Sequence, residues 1–512
     1  MTCNPNVDRR HVLRAAAVLL AFSLAGFLAA VAFAKTPLEL VRQQPKPKFR
    51  SGHTLPPLTR WGYPLPYELK IEMTENWGYA LELGECPTGE AIKALDDSKS
   101  EPAKVLALCA SNPKRYPLCV LTPRPFFVPK FLDQLPESAW CHDASGKRLP
   151  GYGDRLEPRA LSPEAPDECF QKAGEIVGEA LKAVRRKAPI AIVLNGGEYG
   201  MPVFGFGGKI WKQDPKVVKG VGIRSWSQYL GEQRARHEMP VFRAVCQQVP
   251  DRLLYIDYPF SVCQYQNHSD DWWQWEYAYR SVKAVTDMPG ASLYYGDYNS
   301  GWTGSNDMLT QTLNAVGGQI ELKQPLSYNW LCAGYDRAKP STDFSDMEHY
   351  MGYLKCLYTA GTIGGVAGYF SSPKGAFGAD LGDTMPSWLA QQLTLSHAHA
   401  LFSHLEEFLR QGDLLPGPDM HRWSKSQPAY EFPAGDADAR VLARRHRDRA
   451  EWLITAWAAG GNDREVSVEI LELGTVKLLA RKCGSVYRAK LQNGRAVLQL
   501  IDTNGMNPTA AL

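Results

Sequence analysis

At 512 residues the chain is too long for one ordinary domain, and two or three are expected. With 44% apolar and 22% charged residues it has the composition of a folded protein that buries a large core. A formal net charge of +3 is small for this length, and no basic stripe is interleaved with stacking aromatics, so nothing asks for a nucleic-acid partner.

The first 34 residues read as an export signal. Arg9, Arg10 and Arg14 precede an apolar run from Ala15 to Phe33, and Ala32-Phe33-Ala34 offers a cleavage site before Lys35. An uncleaved membrane anchor is the alternative, since the run is nearly long enough to span a bilayer. Arg9-Arg10 followed by His11-Val12-Leu13 resembles a twin-arginine signal, so the expected location is periplasmic or extracellular, with no membrane insertion after cleavage. Residues 35–65 form a Pro-rich arm.

From residue 66 to 415, short apolar runs alternate with helical stretches, which predicts a parallel sheet with crossover helices. The predicted strands are Leu69–Met73, Leu118–Thr122, a third near Ser138–Arg148, then Pro189–Leu194, Leu253–Asp257, Ser292–Asp297, Leu326–Leu331 and Val366–Phe370. Helices are predicted at Glu168–Arg186, Ser225–Gln248, Trp272–Asp287, Asp346–Thr359 and Trp388–Arg410. This pattern fits an α/β fold, a (β/α)8 TIM barrel with enlarged loops. Over 425–505, strand-like runs separated by turn residues such as Asn493-Gly494 predict a small antiparallel β-sandwich domain.

Ten cysteines follow the leader without any C-x-x-C pair, which argues against a zinc ribbon; disulfides and buried free thiols both remain open. His397 and His399 are two apart on a predicted helix and so do not share a face, which argues against a metal site there. No phosphate loop and no Gly-x-Ser-x-Gly elbow occur. No metal or organic cofactor is implied.

In such a barrel the chemistry sits at the C-terminal strand ends, where four carboxylates are predicted: Glu75, Glu198, Asp257 and Asp297. Breaking a glycosidic bond needs one protonated carboxyl and one ionised carboxylate. Glu198 follows an apolar strand and a Gly196-Gly197 turn, with Tyr199 beside it to desolvate the acid and raise its pKa. Asp297, in Tyr294-Tyr295-Gly296-Asp297-Tyr298-Asn299, is the preferred partner and Asp257 the next. Trp302 follows as a possible sugar platform. The 14 Trp and 23 Tyr suit either such platforms or a ring-rich core.

Trp140-Cys141-His142-Asp143-Ala144-Ser145-Gly146-Lys147, Leu161-Ser162-Pro163 and Asn195-Gly196-Gly197-Glu198-Tyr199-Gly200 together resemble the strand-three to strand-four region of family 42 β-galactosidases. Tyr358-Thr359-Ala360-Gly361 through Val366-Ala367-Gly368-Tyr369-Phe370 looks like that family's eighth strand. The resemblance implies a retaining (β/α)8 glycosidase acting on a carbohydrate, with Glu198 as acid/base. Two departures stand against it. Gly197 replaces the family's Asn, with Asn195 two places farther back, and strand seven, Leu326-Ser327-Tyr328-Asn329-Trp330-Leu331, carries no acid where the family has its nucleophile. The expected binding residues are Glu75, Asn76, Trp77, Asn195, Tyr199, Tyr295, Trp302, Asn329 and Trp330. A non-catalytic carbohydrate-binding barrel is the alternative reading.

Overall fold

The computed structural model describes residues 35–61, 64–150, 160–195, 208–256, 260–261, 283–288, 291–294, 327–332, 346–368, 385–415 and 439–512. The 1–34 leader lies outside them. Among the described residues no helix is long and apolar enough to cross a membrane.

Among the described residues the first part has nine strands, in chain order β1 Thr59–Trp61, β2 Leu81–Glu85, β3 Leu118–Leu121, β4 Ile192–Leu194, β5 Leu254–Ile256, β6 Phe260–Ser261, β7 Ala291–Tyr294, β8 Ser327–Cys332 and β9 Thr362–Gly368. One sheet has the order β2-β3-β4-β5 and the other β1-β9-β8-β7-β6, and every neighbouring pair is parallel. A parallel bridge between Leu58 and Tyr79 joins the sheets along the β1/β2 edge. The step from β5 to β6 runs through 257–259, outside the described residues, so the described pairings are two joined parallel sheets and a closed barrel is not among them. Side chains from both sheets nevertheless form one inner cluster: Ala80, Cys119, Ile192, Leu194, Leu254, Ile256, Tyr328, Trp330 and Val366, with Trp61 and Leu121 against it. On β3, β4, β5 and β8 alternate residues face this cluster, as the two-residue period requires.

Three strand expectations are corrected. Leu69–Met73 is helical, inside Tyr67–Asn76, which follows an N-terminal helix at Pro37–Gln43 (α1) and is α2 here. β1 lies within the segment read as an arm, and β2 was not foreseen. Ser138–Arg148 adds nothing to either parallel sheet and holds only small antiparallel bridges, Trp140 to Leu161 and His142 to Arg148. Because two missed strands replace two misread ones, Pro189–Leu194 still holds the fourth place along the chain.

The outer layer contains α3 (Glu101–Ser111), α4 (Asp167–Arg185), α5 (Trp226–Gln248), α6 (Met347–Ala360), α7 (Ser387–Ser403) and α8 (Glu406–Gln411). The helix expected over Trp388–Arg410 is thus two helices. α4 buries one stripe, Cys169, Phe170, Ala173, Val177, Leu181 and Val184, and places Asp167 and Glu168 at its N-terminus and Lys182 and Arg185 at its C-terminus, as the helix dipole favours. Gly174 lets α4 and α5 touch, since a Cβ there would lie 2.8 Å from the Pro240 backbone. α6 is buried on all sides from His349 to Ala360, because the sheet covers one face and the second domain the other.

That second domain contains β10 (Gly412–Leu415), β11 (Arg440–His446), β12 (Glu451–Trp457), β13 (Arg464–Ile470), β14 (Gly474–Ala480), β15 (Ser485–Gln492) and β16 (Arg495–Leu500). β10-β11-β12-β15-β16 form an antiparallel sheet and β13-β14 a hairpin. Val466, Val468, Ile470, Val476 and Leu478 of the hairpin pack on Val441, Ala443, Trp452 and Ile454 of the sheet. β10 belongs to this sheet although it falls within 66–415, the span expected to be the barrel.

Candidate active site

Both neighbours of β4 stay in step with it to its C-terminal end. Leu194 pairs with Leu121 and with Ile256, and the ladder continues past the strands, with Thr122 N donating to Leu194 O (2.9 Å) and Asn195 N to Ile256 O (2.9 Å). The chain leaves β4 toward Glu198 and leaves β5 directly into Asp257. Glu198, Tyr199, Asp257, Tyr295, Asp297 and Trp302 themselves lie outside the described residues.

The other expected residues divide sharply. Ile192 and Leu194 face the inner cluster, so Asn195 takes the opposite parity and faces α5. There its Nδ2 donates to Glu238 Oε2 (2.8 Å) and contacts the Tyr255 hydroxyl (3.3 Å). Glu238 is fully buried on α5 and pairs with Arg234, one turn earlier, at 3.2 Å. A carboxylate this dry needs such compensation, and here a guanidinium and an amide supply it. Asn329 likewise faces away from the cluster, with its amide donating to Ser327 Oγ (2.9 Å) and Thr362 Oγ1 (3.3 Å). Trp330, between Asn329 and Leu331, does face inward, and its ring meets Trp61 edge-on with centroids 6.4 Å apart.

Glu75, Asn76 and Trp77 sit at the opposite end of the sheets. They close a helix and lead into Tyr79, where the Leu58 bridge marks the N-terminal edge of the strands. Glu75 accepts bonds from Arg115 Nη2 (2.8 Å) and the Tyr116 hydroxyl, just ahead of β3. Asn76 donates to Glu72 (3.1 Å), and Trp77 is wholly buried beneath Lys46. The reading that placed these three at a strand end is therefore corrected.

Near the C-terminal strand ends, Arg124 clasps Glu85 through Nε (3.1 Å) and Nη2 (2.7 Å), joining the exits of β2 and β3. Burial pushes the Cys119 thiol well above its usual range, so it stays protonated and unreactive in the inner layer. Burial likewise holds His237 well below the usual imidazole range; the neutral ring stacks on Phe170 at 3.8 Å and donates to the Pro163 carbonyl (3.0 Å). Among the described residues no group of three His, Cys, Asp or Glu is placed to hold a metal.

Two side chains escaped the sequence reading. Glu238 carried a signal, a carboxylate one helical turn after Arg234, though Asn195 as its partner is visible only in three dimensions. Trp61 was hidden in the Pro-rich segment.

No family model matches the sequence, and no curated protein matches it. Solved structures overlay on it at low identity. A cold-adapted β-galactosidase from Rahnella sp. R3 is 10% identical, with 87% of this chain and 100% of that chain covered and a TM-score of 0.46. An α-amylase from Lactobacillus plantarum is 10% identical, with 91% and 99% covered and a TM-score of 0.43. A GH30 endoxylanase from Clostridium papyrosolvens C71 is 10% identical, with 89% and 97% covered and a TM-score of 0.36. These neighbours are glycoside hydrolases; overlap at this level transfers no activity to this chain.

Proposed function

We propose that the chain is an exported glycoside hydrolase that cleaves a polysaccharide or oligosaccharide by carboxylate acid/base chemistry at the C-terminal strand ends of a (β/α)8 barrel. One observation carries the reading: β4 and β5 are parallel neighbours in step to their last residues, Leu194 against Ile256. Adjacent strands lie about 4.8 Å apart, so the segments bearing Glu198 and Asp257 start side by side. β7, paired with β6, ends at Tyr294, three residues before Asp297 in the chain. The order of the pairings, with the Leu58–Tyr79 bridge at one seam, supports the barrel reading.

In this reading Glu198 protonates the leaving oxygen, while Asp297 or Asp257 attacks the anomeric carbon or activates water. A carboxyl separation of about 5–5.5 Å produces retention and about 6.5–9.5 Å inversion. The inner cluster just below the ends of β4 and β5, Ile192, Leu194, Leu254 and Ile256, is apolar. No cofactor is required. The leader ending at Ala34 directs export.

The test is a polysaccharide panel followed by a Glu198→Gln variant. Removal of a general acid costs about 10²–10⁴ in rate, and that loss is expected on whichever glycan is cleaved. An undiminished rate would remove Glu198 from the chemistry. A second reading, a non-catalytic carbohydrate-binding barrel, is favoured by β8, whose sequence Ser-Tyr-Asn-Trp-Leu-Cys carries no acid. Tight glycan binding with no cleavage across the panel would select it.

A further inference from the structure

We propose that β16 is a docking edge for a second copy of this chain. Two β16 strands pair antiparallel about a two-fold axis at Leu498 and join their sheets into one. The proposal concerns assembly and stands apart from the glycosidase reading above.

The register shows which backbone groups are available. β15 and β16 are joined by the two-residue turn Asn493-Gly494, with φ of 50° and 73°, which makes Gln492 and Arg495 a hydrogen-bonded pair. Bonded and non-bonded pairs alternate along an antiparallel ladder, so Val497 with Lys490 and Gln499 with Arg488 are bonded pairs too. The Ile501 amide donates to Val486 O (2.8 Å) in the same phase. Ala496, Leu498 and Leu500 therefore turn their N–H and C=O groups away from β15. β16 ends the sheet order β10-β11-β12-β15-β16, and among the described residues no strand lies beyond it. The edge of β14 is guarded by contrast: the Tyr487 hydroxyl donates to Leu479 O (3.1 Å) and accepts from the Leu479 amide (3.0 Å). β16 has no proline and no bulge, and its one charge, Arg495, sits at its start, so it carries none of the devices that blunt an edge.

The edge is complementary to itself. Two copies can bond only where outward residues stand opposite outward residues. Leu498 opposite its own counterpart, with Ala496 opposite Leu500 on either side, meets that condition, and each of these three pairs exchanges two backbone bonds. Ala496, Leu498 and Leu500 are half-buried on the face that carries the β13-β14 hairpin. The pairing there sets Leu against Leu and the large Leu500 against the small Ala496. Leu491, 37% exposed, extends the same apolar strip, and on the opposite face Val497, 39% exposed, meets Gln499. The two Arg495 side chains fall at opposite ends of the pairing, about 20 Å apart along the strands, so they do not repel. A net charge of +3 over 512 residues adds no long-range barrier. A contact this small belongs with the weak interfaces below about 1,200 Å², so a dissociation constant on the order of 100 µM is expected.

Sedimentation equilibrium of the full mature chain, from about 5 to about 500 µM, is expected to show a monomer–dimer equilibrium. Ala496→Pro removes one outward N–H from each copy and touches no bond to β15, so the loss of two bonds should weaken the dimer about tenfold or more. Should Ala496→Pro not fold, Val497→Lys serves, because that side chain is exposed and the substitution sets like charges diagonally across the pairing; it should weaken the dimer likewise. The register is read separately. Leu498→Cys should cross-link two copies through position 498 on mild oxidation, identified by peptide mass spectrometry, and Gln499→Cys should not. A wild type that stays monomeric throughout the range overturns the pairing and leaves the edge to a strand of another protein. A dimer that neither folded variant weakens, or a Leu498→Cys chain that cross-links no faster than Gln499→Cys, overturns β16 as the interface.

Discussion

Arg444 shows how much one side chain holds. It is buried on β11, and its guanidinium donates to five carbonyls: Thr359 (3.1 Å) and Ala360 (3.2 Å) at the end of α6, and Phe408 (3.1 Å), Leu409 (3.3 Å) and Gly412 (2.6 Å) at the end of α8. Helix C-termini leave carbonyls without partners and carry partial negative charge, so one planar cation caps two helices at once. Arg444→Met leaves those buried acceptors orphaned, and each orphaned group costs about 1–3 kcal/mol. Urea denaturation should show a total loss of roughly 3 kcal/mol or more, with Arg444→Lys recovering little because an ammonium cannot reach five acceptors in one plane. A loss below about 1 kcal/mol would mean that the carbonyls find water. The sequence shows an Arg in a strand-like run and nothing of this role. The same blindness explains Asn195 and Asn329. Polar residues at strand ends looked like site residues, yet their partners, Glu238 and Thr362, lie 43 and 33 positions away in the chain.

At the scale of elements, β4 was legible because Ile190-Ala191-Ile192-Val193-Leu194 is a continuous apolar run, as a strand covered on both faces requires. α2 was misread for a definite reason. Leu69, Ile71 and Met73 alternate with Lys70 and Glu72, which imitates a half-buried strand. In the helix Lys70 and Glu72 are themselves buried, neutralised by Glu101 (2.7 Å) and Lys46. Charge alternation predicts exposure only where no distant partner exists. β1 has three residues and no pattern to read. α7 carries a pH prediction. Burial lowers His397 to about 4 and His399 to about 3, and lowers His53 beside them; for His53, nearby Glu406 favours the proton while Arg50 and His404 oppose it. The neutral His399 Nδ1 accepts from the Tyr358 hydroxyl (2.8 Å). The unfolded chain takes up these protons near the ordinary histidine value of about 6.5, and the folded chain does not until about 4 and 3. Stability is therefore complete above pH 6.5 and falls as pH drops through that window, by about 1.4 kcal/mol per pH unit for each histidine. Urea melts across that window read the slope. His237 and His53, which burial also lowers, add to the slope in the same window, so single-site variants are needed to read one histidine's share. His399→Gln should flatten the slope by one histidine's share; an unchanged slope would show that the ring is already charged in the folded protein.

At the scale of the whole molecule, the two parts and both described ends close on one another through α6. Lys355 on α6 is fully buried with Asp502 (2.5 Å), which follows β16, and it also donates to Gly484 O (2.9 Å). Asp502 in turn accepts from Arg481 Nη2 (2.9 Å) and the Val486 amide (2.9 Å). Past it, Thr509 Oγ1 accepts from the Lys48 amide and Ala510 O from its ammonium (both 2.9 Å), tying the tail to the N-terminal segment. Because α6 is core to the parallel sheets and to the β domain alike, neither part retains its buried surface if the other opens. This predicts one calorimetric unfolding transition, with equal calorimetric and van't Hoff enthalpies. It also predicts an order among variants. Breaking a buried ion pair from one side costs about 3–5 kcal/mol. Lys355→Met leaves Asp502 still held by Arg481 and an amide, so it belongs at the low end of that range. Asp502→Leu strands two cations at once and belongs at the high end, and it should lower the single transition as a whole. Two separated transitions, with Asp502→Leu moving only one of them, would show instead that the β domain is a detachable appendage and that the shared helix does not couple it to the sheets.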